Sequence, residues 1–209
     1  MKKLWDISPP VQPGSPVFPG DTPYQQQWAA TLGPGCPVNV STLTLSPHVG
    51  AHADAPLHYD PQGASAGELE LLPYIGPCRV IHAIDVGPLV LWSHLAHAVE
   101  KIPPRVLVRT YRRMPVDAWD PGLAAFAPET VERLAALGVL LVGIDTASID
   151  PADSKTLDSH QAIRRLRLRV LENLVLDEIA EGDYELIALP LKLMTADASP
   201  VRAVLRELH

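Results

Sequence analysis

Apolar runs and short alternating segments divide this chain into many brief elements. The apolar run over residues 139–144 has no charged interruption, which predicts a strand buried on both faces. Further strands are predicted over residues 3–7, 25–31, 39–45, 79–84, 105–110 and 184–191, and helices over 93–101, 128–138 and 201–208. This mixture of strands and helices predicts an α/β fold.

A strictly alternating segment separates Arg165, Arg167 and Arg169 by apolar residues and continues to Val170. If the segment is a strand, Glu172 lies on its apolar, core-facing side. A buried unpaired carboxylate is unfavourable, so Glu172 would need a cation, and a metal ion is one candidate. The alternatives are a buried salt bridge to one of the arginines, or a helix that exposes Glu172.

The densest group of polar residues lies in residues 47–59, where three histidines and one aspartate occupy even positions. Prolines and a glycine exclude a regular helix, and alternate residues of an extended chain share one face. A straight strand would hold His48 and His52 roughly 13 Å apart at ~3.3 Å per residue, so we predict a bend at Gly50. His48, His52 and Asp54 can then converge on zinc or another divalent transition metal. The alternative is a polar loop whose side chains are satisfied by hydrogen bonds.

Four other residues are candidates for the same site. His58 follows a proline turn, so it could lie beside the ion without binding it, or pack against Tyr59 in a structural turn. His160 follows an Asp-Ser capping pair, which places it near the start of a helix. Phe18 precedes Pro-Gly and either projects into a pocket or packs on the core. Asp145 ends the apolar strand and is predicted to be a supporting or structural residue, not a ligand.

Composition limits the class of protein. With 209 residues, of which 47% are apolar and 20% charged, residues 1–209 are expected to form one globular domain. The net charge of −7 argues against nucleic acid as a partner. No apolar run is long enough to predict a membrane span, and no signal peptide is predicted. Cys36 and Cys78 are predicted to be free thiols, which favours the cytoplasm.

The stretch from His48 to His58 resembles the fingerprint of the metal-dependent cyclase family of hydrolases, His-x-Gly-Thr/Ala-His-x-Asp-x-Pro-x-His, at every fixed position. Further segments resemble, in the same order along the chain, those of the bacterial metal-dependent kynurenine formamidases (arylformamidases) within that family. These segments are Phe18-Pro19-Gly20-Asp21, Gly143-Ile144-Asp145-Thr146, Ser154-Lys155, Asp158-Ser159-His160, Leu171-Glu172 and Ala198-Ser199-Pro200-Val201-Arg202-Ala203.

This resemblance covers essentially the whole chain and carries expectations about fold and activity. It implies a swivelling β/β/α fold with a mixed sheet and flanking helices, in a cytoplasmic homodimer that holds two divalent metal ions, usually zinc. It also implies hydrolysis of N-formyl-L-kynurenine to L-kynurenine and formate in tryptophan degradation, the kynurenine pathway.

The resemblance also assigns roles to individual residues. His48, His52 and Asp54 would hold the first metal, and Asp54 would bridge to a second held with His160 and Glu172. His58 matches the proposed proton carrier of the family. Phe18 matches an aromatic residue that contacts substrate and is more often tryptophan, so this chain keeps a stacking face but lacks the indole donor.

Two other functions are compatible with the sequence. A hydrolase of the same family could act on another small amide, lactam or lactone, such as isatin. A non-catalytic metal-binding protein could retain the ligands, although His58 would then have no evident use. The serine-nucleophile route to the same reaction is not supported, because no Gly-x-Ser-x-Gly segment occurs.

Overall fold

The architecture was taken from a computed structural model, which describes residues 2–208. Within these residues the chain forms thirteen strands and three α-helices, with four short 3₁₀-helices between them. The strands are β1 Leu4–Asp6, β2 Gln25–Ala30, β3 Val40–Thr44, β4 His52–Asp54, β5 Ile75–His82, β6 Leu89–Val90, β7 Arg105–Arg109, β8 Ala125–Phe126, β9 Leu141–Ile144, β10 Arg169–Glu172, β11 Gly182–Ile187, β12 Ala198–Pro200 and β13 Val204–Arg206. The helices are α1 Trp92–Leu95, α2 Pro128–Ala136 and α3 Asp158–Leu166, and the 3₁₀-helices are Pro56–His58, Ala66–Glu68, Leu72–Tyr74 and Ala96–Ala98.

Nine of these strands form one mixed sheet in the order β1-β13-β11-β5-β7-β9-β10-β4-β12. The four strands β5, β7, β9 and β10 pair in parallel, and every other neighbouring pair in the sheet is antiparallel. This mixed sheet with flanking helices confirms the predicted α/β fold. The order places β4 next to β10, so two strands distant in sequence become neighbours.

The two faces of the central strands bury different apolar clusters. Val142, Ile144 and Val170 lie in a cluster with the inward-facing residues of α2 and α3. Leu141 and Leu171, one position out of step, lie in the cluster on the opposite face. This alternation is what the period-2 geometry of strands requires, and it defines a helix-covered face of the sheet.

The strand predicted over residues 39–45 forms as β3, but it lies outside the main sheet. It pairs only with β2 in a separate, exposed two-stranded sheet. His52 and Asp54 lie instead on β4, which is buried inside the nine-stranded sheet. The sequence of β4 does not by itself favour a strand, because its only apolar residue is an alanine between two polar residues.

Two predicted elements at the end of the chain are also corrected. The alternating segment is not one strand: α3 continues to Leu166, Arg167 adopts a left-handed conformation, and β10 begins at Arg169. The C-terminal helix predicted over 201–208 is absent from the described residues, because β13 pairs with both β1 and β11. Tertiary pairing overrides local propensity in both places.

The remaining sequence expectations concern thiols and membranes. Cys36 and Cys78 are both free, as predicted. Among residues 2–208, no helix is both long enough and apolar enough to cross a bilayer.

Candidate metal centre

Two neighbouring strands supply three of the predicted ligands. His52 and Asp54 lie in β4, on the helix-covered face, because Ala53 between them packs into the opposite cluster. β10 runs antiparallel to β4, with Glu172 directly opposite His52. The Nε2 atom of His52 lies 3.2 Å from Oε2 of Glu172 and 3.4 Å from Oδ1 of Asp54. Glu172 is therefore buried on the core side, as the parity of its position predicted.

A tight bend brings the fourth residue to the same point. Gly50 has φ +67°, and a Cβ atom at this position would lie 2.6 Å from Cγ2 of Val11. The positive φ favours glycine, the close approach of Val11 adds to that preference, and the geometry confirms the bend predicted there. The bend turns His48 back over β4, so that its Nδ1 lies 3.1 Å from Oδ1 of Asp54.

His160 completes the group from the opposite side. It lies in the first turn of α3, and its Nε2 is 3.2 Å from Oδ2 of Asp54 and 3.5 Å from Oε1 of Glu172. Asp54 thus turns one oxygen toward His48 and the other toward His160. The structure brings all five predicted ligands together, in two groups that share Asp54. We refer to these five residues as the metal centre.

Hydrogen bonds on the outer side of each histidine fix which nitrogen carries the proton. Nδ1 of His52 donates to the carbonyl oxygen of Gly50 at 2.9 Å, and Nδ1 of His160 donates to Oδ2 of Asp150 at 2.6 Å. Nε2 of His48 lies 2.9 Å from Oδ2 of Asp197. Carbonyl and carboxylate oxygens only accept, and the inward nitrogens face carboxylates as well, so a ring can carry a proton on both nitrogens when no metal is bound. Metal binding requires the neutral ring, in which the outer nitrogen keeps its proton and the inward nitrogen supplies the lone pair.

Two inner atoms make no hydrogen bond of good geometry, which independently indicates a cation site. Within residues 2–208, the buried atoms Nε2 of His52 and Oδ1 of Asp54 have no hydrogen-bond partner, although oxygen or nitrogen atoms of the other ligands lie 3.1–3.4 Å away. An unsatisfied buried polar atom costs about 1–3 kcal/mol, and a native protein retains one where it has a use. Three imidazoles and two carboxylates form a donor set suited to divalent transition metals such as zinc, and these residues fit such an ion.

The electrostatics of the centre lead to the same conclusion. Burial disfavours the charged form of each histidine, but the carboxylates of Asp197 and Asp54, 2.9 and 3.1 Å from its ring nitrogens, raise the pKa of His48 to about 9. Burial also lowers the pKa of His52, but Asp54 and Glu172 outweigh this effect and raise the pKa to about 10. The two buried carboxylates therefore demand positive charge, which protons supply when a metal does not.

His58 lies beside the metal centre on a more open surface. It ends the 3₁₀-helix Pro56–His58, and its side chain is 32% exposed. Its ring centroid is 4.4 Å from that of His48 and 6.2 Å from that of Tyr59, so its nearer neighbour is the metal centre. Nδ1 of His58 lies 3.1 Å from Oδ2 of Asp197.

Phe18 lines a cavity that opens beside the metal centre. This cavity, of about 630 Å³ including open solvent, is also lined by His48 and Gly50. Phe18 packs edge-on against Trp119, with ring centroids 5.0 Å apart, and 41% of Phe18 remains exposed. Of the two positions considered for Phe18, the structure shows the one in which its ring lines a cavity, and Phe18 and Trp119 form an aromatic wall of that cavity.

Three residues near the site were not identified from the sequence: Asp150, Asp197 and Trp119. Asp197 directly precedes the Ala-Ser-Pro segment that carried part of the family resemblance, which was the available indication. Asp145, in contrast, accepts hydrogen bonds from the backbone of Thr110 and Tyr111 and also lines the cavity, an environment compatible with the supporting or structural role predicted for it. Burial raises the pKa of Asp145 to about 6.

Comparisons with known proteins place this site in a family context. Residues 5–151 match the model of the Cyclase family. A protein named kynurenine formamidase from Paracidovorax citrulli (strain AAC00-1) is 75% identical, over 98% of this chain and 97% of its own length.

Solved structures share the fold. One is described as a potential metal-dependent hydrolase with cyclase activity; it is 26% identical, with a TM-score of 0.85 and full coverage of both chains. Isatin hydrolase A from Labrenzia aggregata has a TM-score of 0.85 at 20% identity, covering 100% of this chain and 94% of that chain, and this likeness concerns the fold alone. The family match spans most of the chain and includes the fingerprint residues from His48 to His58: this chain belongs to the cyclase family of metal-dependent hydrolases, alongside bacterial kynurenine formamidases.

Proposed function

We propose that this chain hydrolyses N-formyl-L-kynurenine to L-kynurenine and formate, a step of tryptophan degradation in the kynurenine pathway. The observation that carries the proposal is the pair of ligand groups sharing Asp54, open to an aromatic cavity through His48, in a chain 75% identical to a protein named kynurenine formamidase. The reaction adds water across the formamide: hydroxide joins the formyl carbon, the C–N bond breaks, and a proton goes to the aryl nitrogen.

We propose that the metal centre holds two divalent metal ions and that these ions are zinc. His48, His52 and Asp54 would hold one ion, and Asp54, His160 and Glu172 the other. Such ions, when bound, lower the pKa of a water molecule to about 7 and polarise a carbonyl oxygen. The orphaned atoms of His52 and Asp54 support this assignment, as does the outward proton on each histidine.

His58 is the proposed proton carrier. The leaving aryl amine must be protonated, and histidine exchanges protons near neutral pH more readily than other side chains. Nδ1 of His58 faces the Asp197 carboxylate, which leaves Nε2 to transfer the proton. The position of His58 beside His48, with a third of its side chain exposed, gives it access both to the reacting group and to solvent.

Phe18 and Trp119 are proposed to hold the aryl ring of the substrate. Their edge-on pair forms an apolar wall of the cavity, and offset or edge-on aromatic contacts contribute about 0.5–1.5 kcal/mol each beyond the area they bury. An aryl ring on this wall would direct its formamide toward His48 and the centre. Phe18 offers no indole donor, so the contact here is one of packing.

We also propose that the chain is a cytoplasmic homodimer. The β2–β3 sheet projects large apolar side chains into solvent, including Trp28 at 59% and Leu43 at 51% exposure. Apolar groups of this size on a separate sheet are typical of a protein interface. Sedimentation velocity at micromolar concentration is expected to give twice the mass of the chain, and a monomer would refute the dimer.

One assay tests the activity. Purified protein, metal-loaded or treated with a chelator, is incubated with N-formyl-L-kynurenine, and the release of formate and aryl amine is followed. Metal-dependent turnover that exceeds that of isatin and of a simple lactone is expected. Preferential turnover of isatin would favour the lactam-hydrolase alternative, and the absence of turnover on the whole panel would refute the proposal.

A further inference from the structure

A single carboxylate contacts both a metal ligand and the proton carrier. Oδ2 of Asp197 lies 2.9 Å from Nε2 of His48 and 3.1 Å from Nδ1 of His58. The two rings are 4.4 Å apart and tilted, so both can face the same oxygen. We propose that Asp197 is a positioning residue that sets the orientation and tautomer of both histidines together.

The backbone around Asp197 fixes this position although its side chain is 42% exposed. The next residue, Ala198, pairs with Asp54 in the ladder between β12 and β4. The carbonyl oxygen of Asp197 accepts a hydrogen bond of 2.9 Å from the backbone N–H of Ala55, which leads into the 3₁₀-helix of His58. Asp197 is thus attached to the segment that carries both a ligand and the proton carrier.

The chemistry of the carboxylate determines the tautomers. Because an ionised carboxylate only accepts hydrogen bonds, the nitrogen of each ring that faces Asp197 must carry the proton. In the neutral ring that metal binding requires, Nδ1 of His48, on the side of Asp54, then supplies the lone pair, and His58 keeps Nε2 for proton exchange. This is how a buried carboxylate orients the histidine of a hydrolytic triad, where removing the acceptor yields the wrong tautomer.

The other ligand histidines have no such connection to the proton carrier. His52 is oriented by the carbonyl oxygen of Gly50, and His160 by Asp150, which also accepts backbone hydrogen bonds at the start of α3. Neither orienting group contacts His58 among the hydrogen bonds of residues 2–208. Asp197 therefore links metal binding at His48 to proton transfer at His58.

The inference rests on the proposed hydrolysis for its kinetic part, and its first test is therefore independent of substrate. Zinc affinity is measured by competition with a chelating dye for the wild type and for Asp197→Ala. We expect Asp197→Ala to bind the weaker zinc ion about 10- to 100-fold less tightly, the usual effect of removing a group that orients a ligand. Asp197→Asn retains an acceptor oxygen without the charge, so its zinc affinity should lie between those of the wild type and Asp197→Ala. It replaces Asp197→Ala in the test if that variant fails to fold.

The tautomer of His58 is measured in the same proteins by ¹⁵N NMR of labelled histidine. In the wild type Nδ1 of His58 should carry the proton, and in Asp197→Ala this preference should be lost. Asp183→Ala is a matched control, because Asp183 is 44% exposed and pairs with Arg79 away from the centre. This control should leave zinc affinity and the His58 spectrum unchanged. Unchanged affinity and tautomer in Asp197→Ala would overturn the inference, even if no formamidase activity were ever found.

A double-mutant comparison at saturating zinc tests the link to catalysis. Asp197→Ala should reduce kcat by about 10- to 100-fold with little change in KM. Adding it to His58→Ala should have almost no further effect, because residues that act as a unit are not additive. Fully multiplicative losses would show that Asp197 acts independently of His58, and would overturn the proposed positioning role.

Discussion

The metal centre and its rim differ in both burial and secondary structure. Four of its five residues, His52, Asp54, His160 and Glu172, are each at most 3% exposed and lie on β4, α3 and β10. The exception is His48, which lies in the bend before β4 with 16% of its side chain exposed. The rim, by which we mean Phe18, His58 and Asp197, consists of loop and 3₁₀ residues that are 32–42% exposed. From this contrast we expect the buried elements to fix the metal position, and the loops to determine which substrate binds and how protons move. Substitutions in the two regions should therefore fail in different ways.

The largest effect is expected in the metal centre. His52→Ala should lose bound metal, because Nε2 of His52 faces both Asp54 and Glu172. Turnover should fall roughly 10⁴-fold or more, since the activated water is lost with the metal. Metal analysis by mass spectrometry and the formamide assay measure both quantities. His97→Ala, a substitution of an exposed histidine paired with Glu181, should change neither; full metal content in His52→Ala would contradict this ligand assignment.

A smaller and different loss is expected from the rim. His58→Ala should retain metal and fold, while kcat falls by about 10²- to 10⁴-fold, the range for a lost general acid or base. The same metal analysis and assay distinguish it from His52→Ala. If His58→Ala released metal, His58 would be a ligand and the boundary between centre and rim would be misplaced. Unchanged turnover would instead make it a structural turn residue.

Acidity should act on the metal centre through competition between protons and metal. In the metal-free protein the pKa of His48 is raised to about 9 and that of His52 to about 10, so both are protonated at neutral pH. Zinc must displace these protons, so its affinity should increase from pH 6 to about pH 9–10, with proton release on binding. Calorimetry in two buffers of different ionisation enthalpy measures that release; affinity independent of pH would contradict it.

The same raised pKa values make an opposite prediction for the stability of the metal-free protein. The histidine pKa values are higher in the folded than in the unfolded state, so protonation stabilises the fold fully below about pH 6.5. This contribution should disappear as the pH rises through the folded-state values of about 9 and 10. Denaturant unfolding in the presence of chelator between pH 6.5 and 10 should show the decline, and added zinc should reverse it.

The smallest effect is expected at the aromatic part of the rim. Phe18→Ala should raise KM for an aryl formamide by about 10-fold, because one aromatic contact contributes about 0.5–1.5 kcal/mol in addition to its buried area. Metal content should not change, since Phe18 contacts Trp119 rather than a ligand. Phe18→Trp is the informative control and should retain wild-type KM or lower it. An unchanged KM in Phe18→Ala would remove Phe18 from the substrate site.

The sequence predicted the metal centre better than it predicted the surrounding elements. His48, His52 and Asp54 are close in sequence, and a glycine bend is sufficient to bring them together, so local reasoning reaches them. Glu172 was found from the parity of its position, although half of the alternating segment that suggested it belongs to α3. The prediction from parity held because the last four residues of the segment form β10, in which alternate side chains share a face, and β10 pairs with β4.

What could not be predicted depends on contacts between distant segments. Asp197 meets His58 across a separation of 139 residues, and no local pattern marks an aspartate as the partner of a particular histidine. The C-terminal strands form because β13 finds partners on both sides, β1 and β11, whose positions only the folded sheet determines. Local propensity carries no information about such partners.

Asp54 is proposed to lie between two metal positions. A crystal structure of zinc-loaded protein, with an anomalous difference map at the zinc edge, tests this directly. Two peaks per chain are expected, one within about 2.0–2.3 Å of His48, His52 and Asp54, and one at the same range from Asp54, His160 and Glu172. A single peak, or a peak coordinated by His58 in place of His160, would contradict it.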